Sequence, residues 1–185
     1  GYTLTDIFVT HWHGDHTNAV DDIANITGAK ITAGIHEIPH LNIENEVHAV
    51  SDGDTIKLGE LNIKVIETAG HTAGGVCYLL DEHLIAGDTL FVYGVGICSL
   101  QGSNPITLFH SLKKLLSQDA AKLKLKSSSG QFIFSNDSES LGASGEYFRL
   151  YYLETVPELT FISLLSNLPP VTFKSYNILF DNDIY

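Results

Sequence analysis

Within six residues, directly behind a short apolar run, the chain places His11, His13, Asp15 and His16. Such a density of polar, ligand-type side chains does not fit the interior of a strand, so the fold must end a strand here and open it into a loop. Asp6-Ile7-Phe8-Val9-Thr10 reads as that strand, its apolar residues suiting a two-sided buried environment. In extended chain, residues i and i+2 project to the same side, so His11 and His13 aim at one point above the strand end. Neutral imidazole and carboxylate suit zinc, iron or manganese. Two further candidates, His71 and Asp88, stand in glycine-flanked stretches, Gly70-His71-Thr72 and Gly87-Asp88-Thr89. All nine histidines lie in the first 110 residues, so histidine chemistry belongs to that part of the chain.

The surrounding pattern predicts a layered domain. Thr17 reads as the N-cap of a helix running to Ile26, with Val20, Ile23 and Ile26 near 3.6-residue spacing and Gly28 as its stop. Lys30-Ile31-Thr32-Ala33 is the next strand, which completes a β-loop-α-β unit. Residues 34–53 read mostly as loop. Residues 54–58 and 61–65 alternate apolar with polar as a half-exposed hairpin, and residues 76–80 and 83–86 form a second. His71 and Asp88 therefore sit at strand ends. Pro105 to Ser117 predicts a helix with Leu108, Leu112, Leu115 and Leu116 on one face. Residues 127–145 are rich in Ser and Gly and read as loop, and no internal repeat is visible.

Composition sets the wider limits. A chain of 185 residues with 44% apolar and 17% charged residues is one folded unit with a real core. No apolar run approaches the roughly 18–20 residues that cross a bilayer, and Gly1 to Asp6 do not resemble a signal peptide, so a soluble protein without a membrane partner is expected. The net charge is −12, and residues 1–100 hold 14 acidic residues against three lysines. That charge disfavours nucleic acid as a partner. The lysines at 113, 114, 122, 124 and 126 read as a solvated helix face and its trailing segment, since no aromatic side chains interleave them to stack on bases. Cys77 and Cys98 allow one disulfide at most, which points to a reducing, cytoplasmic setting; Cys77 reads as core. His36, His40, His48 and His83 read as surface or loop residues, and His110 as a helix residue. There is no methionine, and the chain opens just before a strand-like run, so a fragment is expected.

Thr10-His11-Trp12-His13-Gly14-Asp15-His16, Ala69-Gly70-His71-Thr72 and Gly87-Asp88-Thr89-Leu90-Phe91 resemble, in that order, the three metal motifs of the metallo-β-lactamase superfamily. The third motif, with Gly94 to Cys98 and Leu108 to Leu112, is most similar to the glyoxalase II-like branch, which includes thioester hydrolases and persulfide dioxygenases. The likeness covers residues 5 to about 118. It implies an α+β fold, an αββα sandwich that is incomplete at the N-terminus because the family's opening strands are absent, leaving a sheet edge exposed. Residues 1–118 would form the core with the metal motifs, and residues 119–185 a divergent part of the same domain.

The resemblance further implies that His11, His13 and His71 hold a first metal, Asp15 and His16 a second, and Asp88 bridges them, with Asp15 as general base. One or two Zn2+ would activate water against a small-molecule thioester or related acyl substrate. The alternative is a mononuclear Fe2+ persulfide dioxygenase using His11, His71 and Asp88, a triad with open positions. A third expectation is a truncated, catalytically impaired chain that binds metal weakly. Three departures stand out. Asn136 occupies the place of a later histidine ligand, if residues 132–137 are the matching strand. Ile97 replaces a residue that is commonly basic in glutathione-thioester hydrolases. Ala69 and Ala73 stand where prolines usually flank the second motif, a change that mainly loosens the loop.

Overall fold

The computed structural model describes residues 2–91, 94–118, 124–127 and 130–133. The chain opens with β1 (Asp6–Val9), the single-turn α1 (Gly14–Thr17), α2 (Val20–Thr27) and β2 (Lys30–Gly34). A 3-10 turn at Ile38–His40 leads to β3 (Val47–Val50). There follow β4 (Thr55–Leu58), β5 (Leu61–Glu67), β6 (Val76–Leu80), β7 (His83–Gly87), β8 (Leu90–Phe91), β9 (Gly94–Val95), α3 (Pro105–Leu116), β10 (Lys124–Ser127) and β11 (Gly130–Ile133).

Two main sheets form. In the first, β1, β2 and β3 lie parallel in that order, with Ile7 opposite Ile31 and Ala33 opposite Ala49. Among the described residues no strand flanks β1 on its outer side. The second has the order β11-β10-β7-β6-β5-β4, antiparallel except where β10 runs parallel to β7. Their inner faces meet through Val50, Ile63, Val65, Val76 and Tyr78, all buried, with Phe8 packed against them. The Tyr78 hydroxyl donates across the gap to the Val9 carbonyl at 2.9 Å. Helix α2 covers the first sheet through Val20 and Ala24, which join Val9, Ile31 and Ala33 in a second core cluster. Helix α3 buries Leu108, Leu112 and Leu115. It is tied to the end of β5 by the Ser111 hydroxyl on the Ala69 carbonyl and by Lys114 on the Glu67 carbonyl. The result is the expected αββα sandwich.

Several local expectations are corrected. Thr17 does not cap α2: its hydroxyl donates back to the His13 carbonyl at 3.1 Å, and Ala19 takes the cap position. The buried face of α2 is Val20 and Ala24, whereas Ile23 and Ile26 are 39% and 84% exposed. At about 100° per residue Ile26 lies on the far side of the helix from that pair. Residues 34–53 are mostly loop, as expected, but the four-residue strand β3 forms among them, against expectation. Only Val50 of that edge strand is buried, so no alternation betrays it. Residues 130–133, read as loop, pair as β11 with β10. Asn136 lies outside the described residues. The helix of residues 105–117 is present as expected: Pro105 starts it, and the Asn104 side chain accepts from the Thr107 N–H at 3.0 Å. No helix among the described residues is long and apolar enough to cross a membrane.

Candidate metal centre

His11, His13, His71 and Asp88 leave the C-terminal ends of strands or the loops behind them, and Asp15 and His16 lie on the single turn of α1 that follows β1. The Val76 N–H donates to the Thr10 carbonyl at 2.9 Å, which fixes the end of β1 against the second sheet. His11 follows at 3% exposure, and His13, two residues on, is half-buried beside it. The turn of α1 then swings His16 back over His11, with ring centroids 4.0 Å apart. From the loop between β5 and β6, His71 enters at 5% exposure, its Nε2 lying 3.0 Å from Nδ1 of His13. Asp88, just after β7, reaches His16 Nε2 with Oδ1 at 3.2 Å and His71 Nε2 with Oδ2 at 3.6 Å.

These side chains form two overlapping triads that share His11. His11, His13 and His71 make one, and His11, His16 and Asp88 the other, with the ligand atoms of each within 4.8 Å of one another. Asp15 stands outside both: its side chain is 80% exposed and its carboxyl lies 3.7 Å from His16 Nε2. Of the remaining histidines, His36, His40 and His48 are exposed, His36 pairing with Glu67 at 3.3 Å, and His110 is exposed on α3. His83 opens β7. Cys77 is fully buried, and both cysteines are free thiols.

The His71 tautomer suits a cation. The His71 Nδ1 lies 2.8 Å from the Ile97 carbonyl oxygen, which accepts only, so Nδ1 carries the hydrogen and Nε2 presents a lone pair. Nδ1 of His11 pairs with the Thr10 hydroxyl at 3.1 Å, and its buried Nε2 has no hydrogen-bond partner. An orphaned buried imidazole nitrogen is costly unless something outside the polypeptide satisfies it. Two nitrogens bound to one zinc at about 2.0–2.1 Å in tetrahedral geometry lie about 3.3 Å apart, close to the His13–His71 separation. The donor set therefore fits a divalent cation. Gly96 leaves room for two of the ligand residues, because a Cβ there would overlap the Asp88 carbonyl and the His71 ring.

Electrostatics agree with the donor chemistry. Burial, reinforced by His16 and the other imidazoles, pushes His11 down to about 3. Burial and then His71 lower His13. Both are thus neutral at ordinary pH, the state in which imidazole binds metal. The hydrogen bond to Asp88 raises His16. Burial works to raise Asp88, but the His16 hydrogen bond and the neighbouring imidazoles outweigh it and hold the carboxyl below the usual range.

Residues 1–127 match the family model of the metallo-beta-lactamase superfamily. The chain belongs to that superfamily. Its relatives include a probable polyketide biosynthesis zinc-dependent hydrolase, BaeB, of Bacillus velezensis, 40% identical over 113 residues, 60% of this chain and 50% of that protein. A hydroxyacylglutathione hydrolase of Maricaulis maris is 42% identical over 120 residues, 62% of this chain and 44% of that protein. The chain thus spans about half the length of these curated relatives. Among solved structures, ETHE1 from Myxococcus xanthus superposes with a TM-score of 0.72 at 25% identity, covering 96% of this chain and 75% of that one. These likenesses fit the glyoxalase II-like branch of the metallo-beta-lactamase superfamily.

Two features near the site carry no signal in the sequence. Glu37 is wholly buried between the ligand-bearing loops, yet it is a lone acid in a stretch without pattern. The Ile97 carbonyl orients His71, and a main-chain acceptor is silent in any sequence. Trp12, half-buried, lies edge-on to His13 at 4.6 Å and 5.8 Å from the His40 ring, a wall beside the cluster.

Proposed function

We propose that the chain carries the metal centre of a hydrolase that cleaves a thioester or related acyl substrate. The observation behind this reading is the convergence of His11, His13 and His71 from two distant loops, with His16 and Asp88 against them. A divalent cation, if held by these residues, would supply Lewis-acid chemistry toward water and an acyl carbonyl. The chain's own part is to present neutral imidazole lone pairs, through the His71–Ile97 and His11–Thr10 contacts, and to place a negative charge at Asp88. Asp15, exposed and 3.7 Å from His16, is the carboxyl available to orient the attacking water and take its proton. The zinc-dependent hydrolase and the hydroxyacylglutathione hydrolase among the relatives support zinc and a thioester. Ile97 brings no charge to the site, which favours a thioester whose thiol portion is not glutathione.

A second reading, an iron persulfide dioxygenase through His11, His71 and Asp88, draws on the His71–Asp88 contact at 3.6 Å and the likeness to ETHE1. One experiment separates them. The purified chain, loaded with zinc or with Fe2+, is given acyl thioesters while thiol release is followed, and a persulfide while oxygen uptake is followed. Zinc-dependent thiol release supports the hydrolase. Oxygen uptake confined to the iron form would replace it with the dioxygenase, and neither activity would leave the impaired-chain expectation in place.

A further inference from the structure

Glu37 follows β2 on a tight turn, its N–H bonded to the Gly34 carbonyl at 2.9 Å. Its side chain is 0% exposed. One carboxyl oxygen accepts the Trp12 N–H at 2.8 Å and the other accepts the Gly74 N–H at 2.7 Å. Trp12 is the residue between His11 and His13, and Gly74 lies three residues after His71. A single buried carboxyl group therefore grips the backbone of both loops that supply the three-histidine triad. Gly74 is needed for the grip, because a Cβ there would overlap the side chain and backbone of His36, next to Glu37. A carboxyl group buried this fully is costly unless its oxygens are satisfied, and both are committed to main-chain donors.

We propose that Glu37 is a positioning residue for the metal centre, a spacer that sets the separation of the His11-Trp12-His13 and His71–Gly74 loops before any metal arrives. It acts through the main chain and touches neither metal nor substrate. The inference rests on reading the histidine cluster as a metal centre. Ligand atoms held at the right spacing in advance bind without first ordering two loops, and outer-sphere changes of this kind typically weaken metal binding about 10–100-fold.

Glu37→Gln is the test, since the amide keeps the shape but leaves one of the two N–H groups facing another donor. Zinc affinity is measured by chelator competition, together with the visible spectrum of the cobalt-loaded protein. Ile63→Ala, a buried core substitution near the start of β5 and so at the strand end opposite the His71 loop, serves as the control for general loss of stability. The expected result is zinc affinity about 10–100-fold lower in Glu37→Gln with an altered cobalt spectrum, while Ile63→Ala keeps the wild-type affinity and spectrum. Wild-type affinity and spectrum in Glu37→Gln, or an equal loss in Ile63→Ala, would overturn the proposal while leaving the metal centre intact. No zinc binding by the wild type would overturn the metal centre itself. If Glu37→Gln does not fold, hydrogen exchange on the wild type decides. The Trp12 and Gly74 amides should be protected before zinc is added, and free exchange of both until zinc is added would overturn the spacer role.

Discussion

His16 and Asp88 meet at 3.2 Å, Nε2 to Oδ1, and this contact joins the residue that closes the first motif to the one that follows β7. It is also the main reason that His16 holds its proton more tightly than an ordinary histidine. In the metal-free protein, Asp88→Asn should therefore lower the His16 pKa. Histidine NMR signals followed across pH check this, and an unchanged His16 titration would contradict the pairing.

His71 supplies one of the three imidazole nitrogens of the His11–His13–His71 triad and is the member that comes from the second loop. His71→Ala should weaken zinc binding by more than the about 10–100-fold typical of outer-sphere changes. Calorimetric titration of the metal-free protein measures the difference. Asp15→Ala, at an exposed position outside both triads, should cost far less affinity than His71→Ala.

Acid should destabilise the metal-free fold through His11. Its folded pKa, about 3, lies below the 6.5 of an ordinary imidazole, which applies when the chain is unfolded. His11 thus contributes stability that is fully present above pH 6.5 and lost as pH falls from 6.5 toward 3. His16, raised on folding, works the other way: its contribution is present below the unfolded value and is lost as pH rises through the folded one. Scanning calorimetry between pH 7 and 4 should show a falling Tm, with a shallower slope in His11→Gln.

The hydroxyl of Tyr78 bridges the two sheets directly beneath the first metal motif. Tyr78→Phe leaves the buried Val9 carbonyl without this donor and should cost about 1 kcal/mol, on the order of one hydrogen bond. Chemical denaturation of the two metal-free proteins reads it.

Much of this arrangement is legible in the sequence, for reasons that can be named. Period-two alternation revealed β4 and β5 because one face of each is exposed, and Asn104-Pro105 marked the start of α3 because proline suits the first turn. The ligand motifs stood out because histidines separated by one residue at a strand end have few other uses. What stayed hidden depends on tertiary context. Val20 and Ala24 face the core while the larger Ile23 and Ile26 do not, so the face that α2 turns to its sheet is set by how the helix docks and not by residue size. β3 is an edge strand with one buried residue and has no period to read. Glu37 acts by bonding two main-chain groups 25 and 37 residues away along the chain, and no local pattern records such a reach.

Zinc K-edge X-ray absorption on the purified, zinc-loaded chain reads out whether imidazoles from two separate loops share one cation. The expected spectrum shows the multiple scattering of three imidazoles, with zinc–nitrogen distances of about 2.0–2.1 Å. That signature should fall to two imidazoles in His71→Ala. A zinc environment of oxygens alone, or one unchanged by removing His71, would contradict a cation shared between the loops.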